Sequence, residues 1–298
     1  MGMAKSFSED SIVRLRIADD IASSCPNDVG VEIAVTGSTS RGEADAQSDI
    51  ELNFWVSALP EEWSERTRWL KHHTEWLRGL PDITELYIDQ TPIADGSVWL
   101  SFKYSQCWVE AGWQDVQIQE KLLNSIVEGE NIDHELIVLA DTLQHAIPIR
   151  QAGHLKFWKH KLEVYSPILR ERLIQDCLDA WVFPLHIESC WRWDGGYFFK
   201  FREHLLGDLE RCLRIVFAYN RIWEPEWKRL DSRAESLEYC PPRLVERIRD
   251  ILETDNPLSA RQKCNELIHD VLVQISPEFC VHRPLSLIDR SRPPKGLL

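Results

Sequence analysis

No stretch of this sequence approaches the roughly eighteen consecutive apolar residues of a membrane-spanning helix, so no membrane association is expected. Ser6, Ser8, Glu9 and Asp10 give the start of the chain a character unlike a signal peptide. There are eight cysteines, but no C-x-x-C pair and no zinc-like cluster, and His72-His73 lacks any H-E-x-x-H context. These absences argue against a zinc enzyme and lead to reduced, mostly buried thiols in a cytoplasmic protein. Basic residues are also in deficit: 34 Lys and Arg stand against 48 Asp and Glu, a formal net charge of -14. An acidic chain without a basic run repels a phosphate backbone, which disfavours polymerising or tailing chemistry on nucleic acid. A polycationic small molecule is drawn to an acidic cleft, although net charge can also serve solubility alone.

What is present is concentrated in one short stretch. Val31 to Thr36 reads as a mostly apolar strand, and Gly37-Ser38 breaks it where the chain must turn sharply. A run of backbone N–H groups at such a turn attracts phosphate oxygens. Downstream, Ile50, Leu52, Phe54 and Val56 alternate with Asp49, Glu51, Asn53 and Trp55, so one face packs inward and the acids share the other. The Cα atoms of Asp49 and Glu51 should lie about 6.6 to 7 Å apart. Two acids on one face repel unless a cation joins them, and Mg²⁺, which takes one or two carboxylates together with phosphate oxygens, meets that need.

A second alternating run, Trp113 to Gln119, sets Val116 and Ile118 on one face and Asp115, Gln117 and Gln119 on the other. Paired beside the Asp49 strand, it would make Asp115 the third carboxylate. Glu110 is the weaker alternative, because the Ala111-Gly112 pair is expected to interrupt its strand. Plainer readings stand beside these. Gly37-Ser38 can be an ordinary turn with Ser38 as helix cap, and the acids can be the solvated face of an edge strand. Arg41 either reaches a phosphate or neutralises Glu43 and Asp45. Ser48 either caps its loop or touches the metal site.

The pattern Gly37-Ser38, a spacer, Asp49-Ile50-Glu51-Leu52 and a later Asp115 resembles the nucleotidyltransferases of the DNA polymerase beta superfamily. The Ser48-Asp49-Ile50-Glu51 version, followed by a helical second half, looks most like the aminoglycoside and lincosamide nucleotidyltransferases. The motif likeness covers residues 31 to 56 and, less closely, 109 to 119; elsewhere it is one of architecture. The resemblance implies that Gly37 and Ser38 hold the triphosphate of an NTP such as ATP, with Arg41 and Ser48 as further candidates. It implies that Asp49, Glu51 and Asp115 bind Mg²⁺, that the acceptor is a small-molecule hydroxyl, and that a homodimer can form. Two other outcomes stay open: a protein-modifying, AMPylating enzyme of toxin–antitoxin type, and a nucleotide-binding regulator without catalysis.

The expected fold class is α+β, a mixed-sheet catalytic domain over residues 1–124, followed by an all-α helical bundle over 125–290 and a flexible tail over 291–298. Residues 8 to 24 read as an amphipathic helix capped by Ser8, with Val13, Ile17 and Ile21 as its apolar row. Pro60 opens a helix that Gly79 closes, and strands follow near 83–88, 97–104 and 113–119. From about residue 121 the pattern is helical. A helix begun by Ser166-Pro167 carries the row Ile174, Cys177, Leu178, Trp181 and Leu185; Glu188 continues it and is the candidate general base, with Asp176 and Asp194 as rivals. Pro184 can instead kink that helix and turn Glu188 toward solvent or Arg192. A long helix from about Tyr197 to Trp223 ends at Asn220 and Arg221, which either touch ligand or cap. Thirteen tryptophans include Trp55 and Trp113 beside the acids, candidates for stacking on a base or sugar ring or for the core.

Overall fold

The computed structural model describes residues 7–89, 96–181, 198–234 and 236–290. The chain divides into two compact units, Met1–Val164 and Tyr165–Leu298.

In the first unit, α1 (Glu9–Ser24) begins as the sequence suggests: the Ser8 hydroxyl accepts from the Ser11 N–H at 3.0 Å, with Glu9 and Asp10 in the first turn. Its buried face keeps two of the three residues of the anticipated row. Ile17 and Ile21 are buried together with Ala18 and Ala22, while Val13 is exposed. The alanines let the helix lie close to the sheet. Arg14 is buried beside them, donating from Nε to the Ser48 carbonyl at 2.9 Å and pairing with Asp10 at 2.9 Å.

Among the described residues the sheet has six strands: β1 (Glu32–Val35), β2 (Ile50–Val56), β3 (Thr84–Ile88), β4 (Val98–Tyr104), β5 (Cys107–Asp115) and β6 (Ile147–Arg150), in the order β3-β4-β5-β2-β1-β6. β2 and β5 run parallel; the other neighbours are antiparallel. One face carries Ile33, Val35, Ile50, Leu52, Phe54, Val109, Ala111, Trp113, Leu100 and Phe102, and forms the core with α1, with Leu70 of α3 (Trp63–His73) and with Leu77 of the 3₁₀ turn Glu75–Gly79. The opposite face carries Glu51 and Asn53.

Three sequence expectations change here. The strand placed at 113–119 spans Cys107–Asp115, and helix α4 (Val116–Val127) takes over at Val116. Val116, Gln119, Leu123 and Ile126 are its buried side. That spacing is helical, and over twelve residues it prevails against the short alternation read from Trp113 to Gln119. The region after residue 121 is not wholly helical either: between α5 (His134–His145) and α6 (His154–Leu162), β6 pairs with β1. The Arg150 guanidinium on β6 donates to the carbonyls of Ala22, Cys25 and Gly30 at 2.7–2.8 Å, which satisfies orphan acceptors at the end of α1. These links draw residues 125–164 into the sheet unit, so the boundary falls at 164 and not at 124.

Trp113 and Trp55 are both core residues. Trp113 stacks on Phe54 with ring centres 4.5 Å apart and donates to the Val29 carbonyl at 3.0 Å. Trp55 meets Trp158 of α6 edge-on at 5.2 Å and donates to Gln119 at 3.1 Å. Neither can stack on a ligand.

The second unit is helical. Ser166 caps α7 (Pro167–Ala180), with Pro167 at its first position. α8 (Phe198–Tyr219) buries Phe201, Leu205, Leu209, Cys212, Leu213, Val216 and Phe217, while Phe198 at its start is exposed. The short α9 (Leu230–Ala234), then α10 (Leu244–Glu253), α11 (Pro257–Ile275) and α12 (His282–Arg290), follow. A fully buried pair, Arg261 to Asp208 at 2.6 Å, joins α11 to α8. Asn220 is structural: its side chain donates to the Val216 and Tyr239 carbonyls and accepts from the Tyr239 N–H. Cys25, Cys177, Cys212 and Cys264 are buried thiols, and burial pushes Cys25 up to about 11 and Cys177 up to about 12. Among the described residues no helix is long and apolar enough to cross a membrane.

Candidate functional site

The site is built where β1 ends and β2 begins. Val35 gives way to Thr36, and the single helical turn α2 (Gly37–Ser40) starts with Gly37 at φ +65°. The conformation alone favours glycine, and so does the space: a Cβ on Gly37 would lie 2.3 Å from Glu51 Oε1. The Glu51 carboxylate therefore rests directly against the turn. Its other oxygen accepts from the Thr36 hydroxyl at 3.2 Å, and that hydroxyl in turn accepts from Asn53 Nδ2 at 2.9 Å. Asn53, one strand repeat beyond Glu51, thus helps orient the acid.

Asp49 stands one residue ahead of β2 and, by strand alternation, on the side of Glu51. A tight loop delivers it. The Asp45 carboxylate accepts from the Gln47 N–H at 2.9 Å and from the Ser48 hydroxyl at 3.0 Å. The Gln47 amide, then the Ser48 hydroxyl, hold the Asp45 carboxyl below its usual range. Ser48 is the loop's own clasp.

The parallel register of β2 and β5 sets Glu110 directly across from Glu51. Adjacent strands lie about 4.8 Å apart and paired positions share a face, so Glu110 is the lateral neighbour of Glu51. Asp115 is a correction. It lies opposite Val56, five positions along, and its carboxylate is the N-cap of α4. One oxygen accepts from the Gln117 and Ile118 N–H groups at 2.7 and 3.2 Å, the other from Leu59 N–H at 3.1 Å. With three backbone partners and little exposure, Asp115 serves the fold and stands away from Glu51. From sequence Glu110 ranks second, because the Ala111-Gly112 pair reads as a strand break. Gly112 is a strand residue held for close approach: a Cβ there would meet the Trp99 indole at 2.5 Å.

Arg41 has a partner that neither expectation named. Its guanidinium turns to α5 and pairs with Asp141 at 2.6 Å, with the two side chains 8% and 1% exposed. A second nitrogen donates to the Gly37 carbonyl at 3.0 Å. The Ser40 hydroxyl bonds the same carbonyl at 3.0 Å. Asp141, 100 residues away in sequence, thus anchors the turn. Glu188 and Asp194 lie outside the described residues; α7 ends at Ala180, and Asp176 is exposed on it.

The donor set of Asp49, Glu51 and Glu110 consists only of carboxylate oxygens, the ligand type that suits a hard divalent cation. Among the described residues no three His, Cys, Asp or Glu side chains are drawn together closely enough to hold a metal ion as they stand.

Gly37→Ala tests the packing of this corner. The substitution forces a left-handed backbone, at about 1–2 kcal/mol, and drives the methyl into the Glu51 carboxylate. The expected result is a lowered melting temperature, read by thermal unfolding. Gly37→Ala melting like the wild type would contradict the packing.

No protein-family model matches the chain, and no curated protein matches it. Among solved structures, the crystal structure of a nucleotidyltransferase-like protein from Exiguobacterium sibiricum 255-15 is similar at 11% identity and a TM-score of 0.39, covering 95% of this chain and 80% of that one.

Proposed function

We propose that the acid-bearing face of the sheet transfers a nucleotidyl group, AMP from ATP in the first instance, to a hydroxyl of a small acceptor of aminoglycoside or lincosamide type, releasing pyrophosphate. One observation carries this reading: Glu51 and Glu110 are register partners on parallel strands, beside a turn whose glycine leaves room for the Glu51 carboxylate. Two acids side by side with Asp49 close by are costly as mere surface, and they gain purpose when a cation and a triphosphate lie between them.

Asp49, Glu51 and Glu110 would hold Mg²⁺, which supplies charge neutralisation at the triphosphate when bound. The backbone of the Gly37-Ser38 turn receives the β- and γ-phosphates. Thr36 and Asn53 keep the Glu51 carboxylate aimed, and Arg41 with Asp141 keeps the turn in place. The acceptor oxygen forms a bond to the α-phosphorus as the bridging bond to the β-phosphate breaks. Pyrophosphate leaves with that electron pair, and Glu110 takes the hydroxyl proton.

The test is transfer of label from α-³²P-ATP with Mg²⁺, in parallel with release of pyrophosphate, with kanamycin and lincomycin as acceptors. Labelled acceptor with equimolar pyrophosphate is expected. Label appearing on polypeptide instead would move the reading to protein modification, and no pyrophosphate with any acceptor would contradict transfer.

A further inference from the structure

The register that joins Glu51 to Glu110 continues across the sheet. Ser101 of β4 is the partner of Glu110, and Tyr87 of β3 is the partner of Ser101. Two residues toward the loop end, Lys103 is the partner of Trp108, and the β2–β5 register extended by one residue sets Asp49 beside Trp108. On a single face, then, the acids are followed in order by Trp108 and Tyr87.

Both rings are open. Tyr87 is 58% exposed and Trp108 39% exposed, whereas Trp55 and Trp113 of the same sheet are about 1% exposed or less. Their centres lie 6.4 Å apart. Lys103 Nζ stands 5.0 Å from the centre of the Trp108 ring and is itself held by Glu85 at 2.8 Å. The indole is thereby steadied from one side. Two large aromatic rings left open side by side are a costly exposure unless a ring-bearing ligand covers them.

Reaction geometry says which ligand. If the leaving phosphates rest on the Gly37-Ser38 turn, they depart toward β1, and an in-line attack on the α-phosphorus must come from the opposite side, over β5, β4 and β3. We infer that Trp108 and Tyr87 form the acceptor subsite, stacking a saccharide ring so that one of its hydroxyls reaches Glu110. The inference rests on the nucleotidyl-transfer reading for its direction of approach. It goes further in naming where the acceptor lies and what its surface must be: a ring with an apolar face and hydroxyls at its edge. The acidic neighbours Asp49, Glu51 and Glu110 favour ammonium groups on that ring, as in an amino sugar.

Calorimetric titration of kanamycin into the wild type, Trp108→Ala, Trp108→Phe and Tyr87→Ala tests the subsite without nucleotide, and a parallel titration of Mg²⁺-ATP reads the other half of the site. Kanamycin is expected to bind the wild type, to bind Trp108→Ala about tenfold more weakly, within the range of a lost stacking interaction, and to bind Trp108→Phe nearly as well as the wild type. Mg²⁺-ATP affinity is expected to be the same in all four. No kanamycin binding to the wild type, or equal binding to Trp108→Ala, would overturn the subsite. Kanamycin binding that depends on Trp108 in a protein with no affinity for Mg²⁺-ATP would keep the ring platform and overturn the transfer reading, so the two failures are distinct.

Discussion

Glu110→Gln is expected to cut nucleotidyl transfer by about two to three orders of magnitude, the usual scale for removing one preorganised charge-stabilising group, with little change in melting temperature. Its side chain is exposed on the acid face, so the fold loses little when the charge is removed. Asp115→Ala should do the reverse. It strips acceptors from the Leu59, Gln117 and Ile118 amides and removes the cap of α4, at about 1–3 kcal/mol, while chemistry at permissive temperature is kept. Pyrophosphate release and thermal unfolding, measured on both variants, separate the two roles. A folded Asp115→Ala protein without activity, beside a fully active Glu110→Gln, would return the third acid to residue 115.

Asp141→Ala is expected to be the most destabilising single change near the site. The Arg41 guanidinium would stay buried without its carboxylate, and breaking one side of a buried pair costs about 3–5 kcal/mol. Because Arg41 also bonds the Gly37 carbonyl, the turn should loosen and nucleotide stabilisation should fall with it. The double variant Arg41→Met with Asp141→Leu distinguishes structure from function. An apolar pair of similar volume should recover most of the stability, since a well-packed replacement for a buried ion pair is often neutral. It should not recover the nucleotide response, because the tie to Gly37 is gone. Urea unfolding with and without Mg²⁺-ATP reads both quantities, and a double variant with full nucleotide stabilisation would show that the pair serves stability alone.

The acid strand was legible because it obeys a single local rule. Ile50 to Phe54 alternates apolar and polar with period two, and Asp49 and Glu51 lie in phase with the outer face. The same rule misled at Asp115. Val116 and Ile118 also fit an alternating strand over a few residues, and only the longer spacing of Val116, Gln119, Leu123 and Ile126 declares the helix that Asp115 caps. Glu110 was visible but discounted, since the need for Gly112 lies in an indole on another strand, which local pattern does not encode. The Arg41–Asp141 pair joins residues far apart in sequence, and no period or spacing connects them. Helix starts at Ser8 and Ser166 were readable because capping chemistry is local. β6 was not: four residues including Pro148 carry too little pattern, and pairing with β1 is what makes them a strand.

The most direct test of the site is thermal unfolding of the wild type and Asp49→Asn with each of the four NTPs, with and without Mg²⁺, because a ligand bound only by the folded protein raises its melting temperature. The expected result is a Mg²⁺-dependent rise with ATP in the wild type that disappears in Asp49→Asn. An equal rise in both proteins, or none with any nucleotide, would contradict a metal–triphosphate site on this face of the sheet.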